Sequence, residues 1–197
     1  MKFKTIAATL AFATLGTSAF AQTYVGAGVG ASHINVTCDD GVDCRYTDVA
    51  GKLLVGYALP GTDFALEGSY NRLGTFKENQ GDFQLGIQGT SWNLGAAWRP
   101  QFGAGWGGVV RAGAAFGTAK TSYSGAVVGA TPLPILVNGS ESKDSWHPYL
   151  GLGATYALTP QVRLAADWDN TRLSASFQGM SATNTVNTFT LGATFGF

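Results

Sequence analysis

Charge is scarce in this 197-residue chain: Asp, Glu, Lys and Arg make up 12% of it, roughly half of what soluble domains carry. Cysteine and histidine occur twice each, and after residue 21 no apolar run reaches the roughly 20 residues that a membrane-spanning helix needs. These shortages exclude whole classes. A formal net charge of zero gives no basic footprint for nucleic acid. So little charge calls for a surface that faces something other than water, and without spanning helices only a closed β-barrel satisfies its backbone in hydrocarbon. What the chain has in quantity is glycine, 28 residues, and aromatics, 12%.

The N-terminus reads as a cleavable export signal over residues 1–21. Lys2 and Lys4 supply the positive start, Ile6 to Leu15 the short apolar run, and Ala19-Phe20-Ala21 the small-x-small cleavage pattern. Its removal takes two lysines and no acid, leaving ten basic and twelve acidic groups on 22–197. Cys38 and Cys44 lie in the polar stretch Thr37-Cys-Asp-Asp-Gly-Val-Asp-Cys-Arg45. In an exported chain they are expected to form a disulfide across one small loop, a local staple worth about 2 kcal/mol. A Cys/Asp metal site is disfavoured because no histidine lies near.

Eight stretches alternate apolar with small or polar positions, the period of a β-strand: 23–36, 47–59, 63–73, 83–99, 107–121, 146–158, 162–175 and 185–197. Tight Pro/Gly turns at 59–63, 100–105 and 159–161 alternate with longer polar connections at 37–46, 74–82, 122–145 and 176–184. That layout predicts an all-β, eight-stranded antiparallel transmembrane up-and-down barrel with short periplasmic turns and long extracellular loops.

Faces follow from parity. Phe189, Leu191, Ala193, Phe195 and Phe197 share one face of the last strand, against Thr188, Thr190, Gly192, Thr194 and Gly196. Val162, Leu164, Ala166 and Trp168 oppose Arg163, Asp167 and Asp169; Leu53, Val55 and Tyr57 oppose Lys52; Leu66 and Tyr70 oppose Glu67; Val110, Ala112 and Phe116 oppose Arg111. A charge facing lipid near mid-membrane costs about 2–4 kcal/mol, so the ionisable set is expected inside. The fourth stretch breaks phase, with Leu85 and Ile87 on one parity and Trp92, Leu94, Ala96 and Trp98 on the other. A bulge near 89–91, or a strand start clear of the membrane, would reconcile them. Tyr24, Tyr57, Trp98, Trp106, Trp146, Tyr156, Phe195 and Phe197 cluster toward strand ends, where interfacial girdles belong.

The opening strand Thr23-Tyr-Val-Gly-Ala-Gly-Val-Gly30 and the closing strand Asn187-Thr-Phe-Thr-Leu-Gly-Ala-Thr-Phe-Gly-Phe197 resemble those of the small outer-membrane barrels in the outer-membrane protein A transmembrane-domain and opacity-protein superfamily. The resemblance implies the outer membrane of a Gram-negative bacterium, contact with its lipid and lipopolysaccharide, and no cofactor. It also implies that Phe189, Leu191, Phe195 and the terminal Phe197 form the signal read by the barrel assembly machinery.

An eight-stranded barrel is just filled by its own side chains. Lys52, Arg99, Arg111 and Arg163 facing Glu67, Asp167 and Asp169 are expected to form a paired plug, with exchange of Arg111 between Glu67 and Asp167 as the route to a narrow pore. Catalysis finds no support. Ser32 points away from His33 on a strand, and His147 is followed by Pro148 and Tyr149. The loops remain: 37–46 is acidic, and 122–145 holds the apolar run Ala126 to Val137, either of which suits a surface ligand. The expected work is therefore a structural or surface-interaction, adhesin-like role, with a narrow porin-like channel or conduit for small ions or hydrophobic molecules as the alternative.

Overall fold

The computed structural model describes residues 22–36, 43–80, 83–128, 134–177 and 180–197; the expected signal, 1–21, and Cys38 lie outside them. The strands are β1 (Thr23–Ile34), β2 (Asp43–Arg45), β3 (Thr47–Ala58), β4 (Phe64–Gln80), β5 (Phe83–Trp98), β6 (Gln101–Gly103), β7 (Trp106–Val128), β8 (Pro134–Ala157), β9 (Val162–Phe177) and β10 (Met180–Gly196). The eight long ones pair antiparallel with their sequence neighbours, while β1–β10 pairing closes the ring and β2 and β6 add short edges. Closure protects the edges through the lower part of the ring; beyond Leu150 and Asn170 the β8–β9 pairing ends, and among the described residues the outer part of β8 pairs on its β7 side.

Hydrogen-bonded partners can be followed round the ring from Thr90 through Arg72, Gly51, Val29, Leu191, Ala166 and Ala154 to Gly108. The path returns to the β5 edge about ten residues from its start, the stagger that tilts barrel strands by roughly 35–45°.

Parity sorts the side chains as alternation predicts. Through the middle of the barrel the outward positions are apolar: Val25, Val29, Leu53, Val55, Leu66, Leu94, Val110, Leu152, Leu164 and Leu191 are all exposed. No described outward residue in this belt is charged. On the outer side the belt ends in an aromatic row that crosses four adjacent strands in register, Tyr70, Trp92, Phe116 and Trp146. One step beyond, outward polar groups pair across strands: Thr118 Oγ1 donates to Asp144 Oδ1 (2.7 Å), Asn170 Nδ2 donates to Asn187 Oδ1 (2.8 Å), and His33 Nδ1 meets Thr47 Oγ1 (3.0 Å). Exposed Arg72, Lys120 and Arg172 stand at or above that level. On the periplasmic side Tyr57, Phe64, Trp98, Trp106, Tyr156 and Phe195 mark the other boundary, and Trp106 packs on Tyr156 with ring centroids 5.0 Å apart.

Three details differ from expectation. β5 pairs with β7 without interruption, so it carries no bulge at 89–91. The irregularity lies in the partner strand, between Arg72 and Gly74 of β4. Gly74 has φ +85°, and a Cβ there would press on Asp48 and the Val49 carbonyl, so the position requires glycine. Leu85 and Ile87 keep the inward parity of β5; what changes is the surroundings. Above the membrane the interior becomes apolar, with Ile34, Leu73, Phe76, Ala119, Leu173 and Val186 forming a buried cluster against Tyr46 and Ile87. Second, much of what alternation assigns to loops is strand: β4 runs on to Gln80, and β7 and β8 run to Val128 and from Pro134. Third, the turn after β5 contains β6, folded back by positive φ at Gly103, Ala104 and Gly105.

The belt makes a depth-dependent prediction. Leu53→Arg, at mid-belt, should lower unfolding free energy in lipid vesicles by about 2–4 kcal/mol, and Thr47→Arg, beyond the outer boundary, by less than about 1 kcal/mol. Equal losses in urea titrations would mean that the belt is misplaced.

Candidate functional site

At the waist of the barrel the inward positions hold long polar side chains where neighbouring strands present glycine. The pairing is steric: a Cβ on Gly56 would overlap the Tyr24 ring, and one on Gly151 or Gly153 would strike the carboxylates of Asp169 and Asp167. Glycine-rich alternation thus clears the cross-section for one network. Tyr24 Oη donates to Glu67 Oε1 (2.5 Å), and Arg111 Nε donates to Glu67 Oε2 (2.5 Å). Arg111 Nη1 reaches Asp167 Oδ1 at 2.8 Å. Lys52 Nζ donates to Asp167 Oδ2 (3.2 Å) and Asp169 Oδ2 (2.6 Å), and Tyr149 Oη donates to Asp169 Oδ1 (2.6 Å).

All seven residues are buried, and all six carboxylate oxygens accept a hydrogen bond. The members come from β1, β3, β4, β7, β8 and β9, so the network ties six of the eight walls together. A carboxylate in a low-dielectric interior is tolerable only when paired and hydrogen-bonded in this way.

The arrangement differs from four cations facing three anions. Lys52 and Arg111 alone bridge Glu67, Asp167 and Asp169. Arg111 holds Glu67 and Asp167 at once. Arg99 and Arg163 sit toward the periplasmic mouth: the Arg99 guanidinium stacks 4.0 Å from the Tyr24 ring centroid, and Arg163 Nη1 donates to Gln101 Oε1 at 2.8 Å.

Two network members escape the sequence reading. Nearness to a strand end assigns Tyr24 to the lipid girdle, yet it shares parity with Gly26 and Gly28 and faces inward. Tyr149 shares parity with Gly151 and Gly153, a signal the sequence does carry. A third feature is invisible to spacing: His147 Nε2 lies 3.0 Å from Ser174 Oγ, which also meets Thr183 Oγ1 at 2.7 Å. Among the described residues no carboxylate bonds His147 to complete a triad. Of the expected disulfide, Cys44 is described, in β2 beside β4, and is disulfide-bonded. Leu191 and the aromatic side chains of Phe189, Phe195 and Phe197 all lie on the outward face of the closing strand.

Voids flank the network, one beside Lys52 and Asp167 and one beside Glu67 and Arg111, each of about 10 Å³. That is about the room of a single water. Larger spaces in the lumen lie beyond it: an outer cup of about 700 Å³ lined by Ile34, Tyr46, Phe76, Leu85 and Ile87 among others, and a periplasmic vestibule of about 280 Å³.

The closed ring and its lipid belt have counterparts among known proteins. The outer membrane protein beta-barrel domain model matches residues 6–197. The chain belongs to this family. It is accordingly an outer-membrane protein, and its apolar belt lies in that bilayer. Among solved structures it is similar to Ail, the attachment invasion locus protein of Yersinia pestis, at 18% identity and a TM-score of 0.56 over 90% of this chain and 99% of that one. A major outer membrane protein from Thermus thermophilus gives 16% identity and 0.56 over 89% and 98%. Neisserial surface protein A gives 16% and 0.52 over 89% and 97%. No curated protein sequence matches.

Removing one member should expose the strength of the network. Arg111→Met leaves two carboxylates short of a cation and should cost about 3–5 kcal/mol of stability in lipid vesicles. Adding Glu67→Gln, which keeps an acceptor for Tyr24 while deleting one stranded charge, should recover part of that loss. If the double variant is no more stable than Arg111→Met, the electrostatic coupling is absent.

Proposed function

We propose that this protein is a closed scaffold that works at the cell surface, as a structural or adhesin-like surface-interaction protein acting through the strands and loops that stand clear of the membrane. The observation that carries this reading is the waist: a fully bonded charge network flanked by voids of about 10 Å³. It weighs against the alternative of a narrow porin-like channel or conduit. A hydrated ion or a small hydrophobic molecule would have to break several buried charge-assisted bonds at once to pass.

The outer part of the chain supports the same reading. β7 continues for twelve residues past Phe116 to Val128, about 40 Å of strand beyond the aromatic row. A polar exterior and an open-mouthed cup face away from the cell, the cup lined by Ile34, Phe76 and Ile87 beside Asn35, Lys77 and Glu78. Apolar groups left open to water and rimmed by polar ones are where partners bind. The segments proposed to meet a surface ligand are 37–46 and 122–145, the second being largely the β7–β8 hairpin. One fold relative is named for an attachment invasion locus; at 18% identity that likeness extends to the fold alone.

Purified protein in planar bilayers should give no stepwise currents; reproducible steps from the wild type would overturn the closed-scaffold reading. For the surface role, replacing 126–137 by a two-residue Asn-Gly turn should remove most adherence of expressing cells to cultured epithelial monolayers while leaving the barrel's mobility on unheated gels unchanged. Undiminished adherence would move the function away from this hairpin.

A further inference from the structure

Two cations are left over when the waist is complete, and both face the periplasmic vestibule. Arg99 follows the end of β5, Arg163 opens β9, and they line the same cavity of about 280 Å³. Neither guanidinium has a carboxylate within 4.0 Å among the described residues. All six carboxylate oxygens of the waist already accept from other groups. Asp63, the one acid on the vestibule lining, makes no ion pair with either arginine, although its carbonyl accepts from the Arg99 backbone N–H. Arg163 shares the vestibule lining with Arg99, a like charge.

The surroundings are built to hold these side chains. Arg99 is braced flat against Tyr24, whose hydroxyl is anchored on Glu67. Arg163 is held by Gln101, a residue of β6, and β6 lies where it does because three successive positive φ angles fold it back on β7. Neutral polar groups, Thr23, Gln161 and Thr194, fill in the lining. Two braced guanidiniums facing one open, polar cavity are an arrangement that an oxyanion relieves, because each fork offers paired N–H donors and the anion cancels their repulsion.

We propose that the periplasmic vestibule is an anion site whose ligand is a phosphate group, held between Arg99 and Arg163. A phosphate monoester carries about −1.5 to −2 charges at neutral pH, which answers two cations in a way that a single carboxylate does not. The cavity has room for a phosphate head together with several waters. Free phosphate from the periplasm can enter it. So can the phosphomonoester head of a phosphatidic acid in the inner leaflet, because the mouth lies level with the ring of Tyr57, Phe64, Trp98 and Trp106 and Phe64 itself borders the cavity.

The test follows the arginine Nε–H signals by NMR in dodecyl maltoside, a detergent without phosphate. Inorganic phosphate is titrated in one arm, and phosphatidic acid is doped into the micelles in the other. Saturable shifts of Arg99 and Arg163 in the first arm identify free phosphate as sufficient; shifts in the second arm alone identify the lipid headgroup. Arg163→Gln should weaken the response about tenfold or more, the loss of one charge-assisted pair, Arg163→Lys should weaken it less, and Lys120→Gln at the outer rim should leave it unchanged. No saturable shift from either source in the wild type overturns the proposal without recourse to any variant. An equal loss in Lys120→Gln overturns it as well, by showing attraction that is not local to the vestibule.

Discussion

Three carboxylates at a waist with almost no room for water have to be answered by protein groups, and much of the architecture follows from that demand. Lys52 and Arg111 bridge Glu67, Asp167 and Asp169, and Tyr24 and Tyr149 supply the remaining donors. Bonds between residues more than a hundred positions apart need a fixed stagger, so the network and the register of the ring specify each other. Glycine at 56, 151 and 153 is the steric counterpart, giving up its own side chain so that a neighbour's can cross the lumen. A barrel of this diameter filled with apolar residues would be as closed. What the charge adds is register, since a slip of one strand would strand a buried ion.

Outside the waist the polarity of the wall changes twice along its height. Within the bilayer the outside is apolar and the inside polar; beyond the row Tyr70, Trp92, Phe116 and Trp146 the outside becomes polar and the inside gains Leu73, Phe76, Leu173 and Val186. The bulge at Leu73 and Gly74 sits at this changeover, where Ser32 Oγ donates to the Leu73 carbonyl and Asp48 Oδ2 accepts from the Thr75 amide. The lower half thus behaves as a membrane protein and the upper as water-facing strands around an apolar core of their own. That division places the surface-facing part on a rigid base, as a binding scaffold requires, and leaves two arginines at the opposite end without a carboxylate partner among the described residues.

Much of this is legible in the sequence. Alternation in 185–197 places Phe189, Leu191 and Phe195 on the lipid face, and the charges at 52, 67, 111, 167 and 169 all fall on the inward parity. The conflict within 83–98 is legible too, but its cause is not. Period two says which residues share a face, and it does not say whether an apolar face meets lipid or an apolar interior. Leu85 and Ile87 turn toward the second. Which cations meet which acids depends on stagger between distant strands, a quantity that alternation does not contain, so parity groups Arg99 and Arg163 with partners they do not reach. Tyr24 is misplaced when nearness to a strand end is allowed to outweigh its parity with Gly26 and Gly28. The long extracellular connections read as loops because polar residues occupy both faces there; the strands continue regardless, because their hairpin partners rise beside them.

The central claim is that the waist is sealed by bonds that water does not reach, and side-chain hydrogen exchange tests it directly. In lipid nanodiscs at neutral pH the Nε–H proton of Arg111 should exchange with solvent orders of magnitude more slowly than that of the exposed Arg45 and should report its bond to Glu67. Exchange of Arg111 at the rate of Arg45 would mean that water fills the lumen, and the closed-scaffold account would not stand.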